Sequence, residues 1–112
     1  WVDTHVSRYA TMHPWEDWAE TFAHYLHVQG GLETAESFGI RLGDPVRSAA
    51  RDSYRVDRDV SIGPIIQRWL ALTLALNGMS RSIGEADLYP FVLSQRVIEK
   101  LDFVHRSVVA AV

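Results

Sequence analysis

The sequence contains no cysteine, which excludes a disulfide framework and any thiolate metal site. It has a single lysine beside ten arginines; this is read as a compositional habit, not a phosphate-binding device. There is no excess of positive charge: the net charge of -3 argues against general nucleic-acid affinity, which needs clustered basic residues. There is no membrane-length apolar run. The longest apolar stretch, residues 64–79, is shorter than the ~20 residues a span needs and carries Gln67 and Arg68. No signal peptide, internal repeat or low-complexity segment is visible. These absences are compatible with a cytoplasmic protein.

What is present is ordinary for a globular chain. Hydrophobic residues make up 47% and charged residues 22% of 112 positions, enough for one domain, or part of one, with a modest core. Residues 1–11 show no strong period. The organising stretch follows, Tyr9 to His27, and predicts a helix over residues 14–29. Pro14 suits a first helical position, where its missing N–H would be unpaired anyway. His13 before it would be extended and could help cap the helix. Gly30-Gly31 reads as the stop, and residues 32–38 as a separate short helix ending at Gly39.

At ~100° per residue, Trp15, Trp18, Ala19, Phe22, Tyr25 and Leu26 share one face, expected to be buried. Glu16, Glu20, His24 and His27 fall within roughly 80° of one another on the other side. Glu16 and Glu20, one turn apart, repel by roughly 0.2–0.5 kcal/mol if exposed. The row admits three readings. It is a solvated face, with acids favoured in a first helical turn. Or Glu16 is a metal ligand and Glu20 supports a ligating histidine from behind. Or Glu20, His24 and His27 make a site within the helix; at 1.5 Å per residue the row spans about 16 Å, so one ion cannot use all four.

Residues 40–63 lack clean periodicity and are expected to be a long irregular connection, with one helical turn near residues 45–50. Its near-balanced charges fit a solvated linker, or a wall of a substrate cleft. Gly63-Pro64 opens a second strong helix, residues 64–79, apolar nearly all round and therefore central, with Asn77-Gly78 as its stop. Residues 80–93 are turn-rich. Ser94 is placed as N-cap of a last helix, residues 95–110, whose Val97, Ile98, Leu101, Val104 and Val108 recur at helical spacing. Glu99, Lys100, Asp102 and Arg106 are assigned to its wet side and His105 to a packed border position. The fold class is therefore mainly α: three main helices, one short helix and a long irregular connection.

The run His-Pro-Trp-Glu-Asp-Trp-Ala-Glu-Thr-Phe-Ala-His-Tyr-Leu-His resembles the signature of a bacterial family of zinc-binding metallopeptidases. The likeness continues through Leu32-Glu-Thr-Ala and Asn77-Gly-Met-Ser-Arg-Ser-Ile-Gly. It then takes in Tyr89-Pro90-Phe91 and Lys100-Leu-Asp-Phe-Val-His. That family sits among zincins, which take two zinc ligands from a His-Glu-x-x-His helix and a third from a glutamate on a later helix. Peptidases of the anthrax lethal-factor type add a tyrosine seven residues before the ligand glutamate. Tyr9, Glu16 and Glu20 stand at those offsets. The resemblance thus implies that Glu16 binds zinc, that Glu20 supports the site, and that Tyr9 stabilises the oxyanion of a tetrahedral intermediate, with a peptide or protein as substrate.

One departure is plain. None of His5, His13, His24, His27 and His105 belongs to a His-Glu-x-x-His, so two histidine ligands and the general-base glutamate are missing. The sequence also opens on Trp1, in mid-pattern. The expectation is the C-terminal part of a longer enzyme, from a zincin-type catalytic domain, binding no zinc and hydrolysing nothing by itself. The competing reading is a non-catalytic helical association module, using the Trp15/Trp18/Phe22 face or the long apolar helix. The metallopeptidase reading predicts an exposed apolar groove beside Glu16, open to self-association.

Overall fold

The computed structural model describes residues 4–6, 14–53 and 61–111. The order is α1 (Pro14–Ser37), α2 (Asp44–Ser53), α3 (Gly63–Ser82) and α4 (Gln95–Ala111), with no strand among the described residues. The mainly α class expected from the sequence is the one found.

The first correction concerns α1. Gly30-Gly31 does not stop it; the helix runs on through residues 32–37 and absorbs the expected short helix. Its real terminus is Gly39, at φ 71°, where Gly39 N–H donates to Glu36 C=O (2.9 Å) and Ile40 N–H to Ala35 C=O (2.9 Å). That paired closure needs a left-handed residue, which glycine supplies without strain. The glycine inside the helix has another use. A Cβ on Gly31 would stand 2.6 Å from Cζ3 of Trp69, so its bare backbone lets α3 pack against α1.

α3 repeats the pattern. It passes through Asn77-Gly78 to Ser82 and ends at Gly84, φ 82°, with Gly84 N–H donating to Arg81 C=O and Glu85 N–H to Ser80 C=O. Asn77 is not a stop but a clip: its side-chain amide donates to Tyr89 C=O (2.9 Å) and accepts from Tyr89 N–H (2.8 Å). Arg81 makes two hydrogen bonds to Asp87, 2.6 and 2.7 Å. Together they tie the 83–94 connection to α3.

The region read as irregular contains a full short helix, α2, packed on α3. It is amphipathic but short and poor in large apolar residues: its burial rests chiefly on Ala50, backed by half-buried Val46 four residues earlier, a weak signal in the sequence. Asp44 in its first turn and Arg51 in its last complement the helix dipole. α4 matches its expected span, and Ser94 Oγ accepts from Val97 N–H (3.3 Å) as the N-cap.

Two apolar clusters hold the helices. Tyr25, Ile62, Ile66, Val97, Ile98, Leu101 and Val104, with Val6, join α1, α3 and α4. Val28, Leu32, Trp69 and Leu72 join α1 to α3. Asp102, assigned to the wet side of α4, is instead 7% exposed. It accepts from Ser61 Oγ and Ile62 N–H (both 3.0 Å) and pairs with Arg106 at 2.8 Å. A buried carboxylate needs such partners, and here they pin the entry of α3 to α4. His105 is packed as expected, Nδ1 lying 2.9 Å from the Tyr25 hydroxyl.

Candidate functional site

The buried face of α1 is not the one the aromatic spacing suggested. Thr21, His24, Tyr25, Val28 and Leu32 face inward. Trp15, Trp18 and Leu26, expected to be buried, are 76%, 51% and 50% exposed. The stripe that packs is rotated by about 100°, one residue's worth, from the aromatic-rich face. The reason is tertiary: Gly31 and Tyr25 lie where α3 and α4 approach, and they fix the helix's rotation. The polar row therefore spans the edge of the buried stripe, running from half-buried Glu16 and Glu20 to fully buried His24, with His27 exposed.

At the N-terminal end of the row, the two first-turn acids differ. Asp17 is neutralised across the core by Lys100 Nζ, 2.8 Å away, with His5 Nε2 at 3.9 Å. Lys100 also donates to Thr4 C=O. Glu16 has no ion pair among the described residues. Its Oε2 is buried there and has no hydrogen-bond partner, and the same holds for Asp17 Oδ1, Thr21 Oγ1 and Trp69 Nε1. A buried carboxylate oxygen without a donor costs on the order of 1–3 kcal/mol or more, unless something outside these residues supplies one. Tyr9 and His13 lie outside the described residues.

Further along, Glu20, Ala23, His24 and His27 line a cavity of about 270 Å³ closed by Val6, Trp69, Tyr89 and Phe91. His24 Nε2 hydrogen-bonds the Tyr89 hydroxyl. Phe91 stands edge-on to His24 at 5.2 Å, and Trp69 edge-on to Tyr89 at 5.1 Å. Burial, with His27 nearby, lowers the His24 pKa to about 4; burial raises that of Tyr89 to about 12. At neutral pH both are therefore uncharged, and Tyr89 O–H can donate to Nε2. Such a pair orients and packs; it does not carry a proton at pH 7, because neither partner titrates there. Since His24 Nε2 is engaged by Tyr89, the within-helix site of Glu20, His24 and His27 does not form. Among the described residues no group of three His, Asp or Glu is placed to hold a metal ion.

The comparisons with known proteins agree on one family. The model of the family described as "Putative zinc-binding metallo-peptidase" matches residues 1–107. The chain belongs to this metallopeptidase family. It is also 48% identical over 113 residues to an uncharacterized protein of Mycobacterium bovis and to uncharacterized proteins of two Mycobacterium tuberculosis strains. Each match covers 96% of this chain but 30% of the relative, so the chain spans about a third of those proteins' length. No solved structure matches it. No helix among the described residues is long and apolar enough to cross a membrane.

Seen from the metallopeptidase family, the structure separates the residues marked in the sequence. Glu16 and Glu20 sit on one helix, Glu16 at an uncompensated position and Glu20 at the cavity mouth. Sequence reasoning did not single out Trp69 and Phe91 as cavity walls or Tyr89 as the partner of His24. The one available signal was Tyr89-Pro90-Phe91, an aromatic pair on a proline-stiffened turn.

Proposed function

We propose that this region supplies one corner of a zinc site in a longer metallopeptidase, with Glu16 as the carboxylate ligand and Glu20 as its supporting neighbour. The observation that carries the reading is the buried Oε2 of Glu16: Asp17 also has one buried oxygen, Oδ1, without a partner, but its other oxygen is held by Lys100, whereas Glu16 has no ion pair among the described residues. A buried carboxylate oxygen of this kind, on a half-buried residue, suits a divalent cation. The residues fit one ligand position and no more, so the remaining ligands belong to another part of the protein. Zinc, when bound, would polarise a water and the scissile carbonyl of a peptide. What this chain contributes is the placement of the carboxylate: Pro14 starts the helix, and the Asp17–Lys100 pair docks that start on α4. Tyr9 is proposed, on the resemblance, to donate to the developing oxyanion.

The exposed Trp15 and Trp18 lie on a side of the helix turned away from Glu16 and form an apolar surface that suits a covering element. The same surface also favours the second reading, a helical association module without chemistry. Glu16→Gln in the full-length protein separates them. The expected result is loss of stoichiometric zinc and of peptidase activity with the fold intact. Full zinc occupancy and full activity in that variant would exclude Glu16 as a ligand.

A further inference from the structure

A second concavity lies at the other end of α1. A cleft of about 940 Å³ opens between the C-terminal part of α1, the 39–42 connection, α2 and α3. Its floor is apolar, built by Leu32, Leu42, Ala71 and Leu72. Its rim carries Arg41, Arg47, Arg51 and Arg68 against, among the described residues, the single carboxylate of Glu36. This concentrates positive charge in a chain whose net charge is -3.

The arginines come from three places. Arg47 and Arg51 are one turn apart on α2, Arg68 projects from α3, and Arg41 stands on the connection between α1 and α2. All four are solvent-exposed. None pairs with a carboxylate among the described residues; Arg51 donates to Ser48 Oγ at 3.0 Å, which adds no negative charge. Guanidiniums held close to one another repel, and an anionic ligand relieves that repulsion.

We propose that this cleft binds an acidic peptide segment with interspersed apolar side chains. Carboxylates match the planar forks of arginine, and the apolar floor takes the alternate side chains. The lining argues against other anions. Among the described residues it contains no aromatic ring on which a nucleobase could stack. A small inorganic anion would leave the Leu32–Leu42–Leu72 floor uncovered. The cleft is some 16 residues along α1 from Glu16, about 24 Å, so it is a separate site that needs no metal.

The test is equilibrium binding of fluorescent peptides to the 112-residue chain in the presence of a chelator, which makes the outcome independent of the zinc reading. A Glu-Leu repeat peptide should bind saturably. It should bind several-fold tighter than a Glu-only peptide, and Lys-Leu should not bind. Raising salt from about 20 to about 300 mM should weaken binding at least about tenfold. The R47E/R51E double variant should weaken it by a similar factor, and R68Q by about threefold, while R96E on α4 should leave it unchanged. Far-UV circular dichroism verifies that each variant is folded. If R47E/R51E loses its helix, R68Q alone decides. Unchanged affinity in a folded cleft variant would overturn the proposal. So would equal binding of the Lys-Leu peptide, of inorganic phosphate competing fully, or of a single-stranded oligonucleotide.

Discussion

His24 is the residue whose ionisation the fold most strongly opposes. It is buried, its partner is a neutral phenol, and its pKa falls from 6.5 to about 4. The unfolded chain therefore binds a proton that the folded one refuses across that window. The contribution of His24 to stability is complete above about pH 6.5 and is lost as the pH falls towards 4, amounting to a few kcal/mol by the end. Urea unfolding at pH 7.5 and pH 4.5 should show a drop that is much smaller in His24→Gln, whose amide never charges. An equal drop in both proteins would show that other groups dominate acid lability. A histidine neutral and hydrogen-bonded at pH 7 is a fixture of the cavity wall. Asp102 makes the complementary point. Sequence spacing placed it outside, because i,i+4 with Arg106 is the mark of a surface pair. It is buried because Ser61 and Ile62 offer it donors from the start of α3, a partnership no local pattern displays.

The glycines decide the elements, and they do so in two ways that the sequence alone does not separate. Gly39 and Gly84 adopt positive φ and end helices; Gly30, Gly31 and Gly78 lie inside them. Gly30 and Gly31 can be told apart by experiment. A Cβ at Gly30 meets nothing within 4 Å, so Gly30→Ala should stabilise the chain by about 0.5–1 kcal/mol through helix propensity. A Cβ at Gly31 meets the Trp69 ring at 2.6 Å, so Gly31→Ala should destabilise by about 1–3 kcal/mol despite the same propensity gain. Thermal melts of the two single variants check this; shifts of the same sign would mean that the α1–α3 contact is not tight. What was legible follows from the same logic. α4, its Ser94 cap, the starts of α1 and α3 and the mainly α class depend on local signals, which the chain displays openly. The extension of α1, the existence of α2 and the rotation of α1 depend on neighbours: Trp69 seated over Gly31, and a helix held by Ala50 and Val46. At the site, the carboxylate row and Tyr89-Pro90-Phe91 were visible as residues, but the His24–Tyr89 contact spans 65 positions and needs the Asn77 and Arg81 clips to exist.

For the molecule as a whole, the notable surface is the one opposite the polar row. Trp15, Trp18 and Leu26 lie on one side of α1 and face solvent, with Trp18 stacked on Phe22 at 5.2 Å. Two exposed tryptophans within four residues form an apolar patch of the kind that marks an interface. The chain spans about a third of its mycobacterial relatives, and in a longer protein the covering surface is proposed to come from another part of the chain. For the 112 residues alone, water is then the only cover, and apolar burial at about 25 cal/mol per Å² favours pairing of copies through that patch. The expected outcome is a concentration-dependent shift to dimer in sedimentation velocity, reversed by Trp18→Glu. Because Trp18 is exposed, the variant should keep its far-UV spectrum and melting temperature, so loss of the dimer would report the patch and not the fold. A chain that stays monomeric up to high concentration would show that the patch is too small to associate by itself. Then the Trp face would matter only in the presence of the element that covers it, and the Glu16→Gln experiment would have to be done in a protein that includes that element.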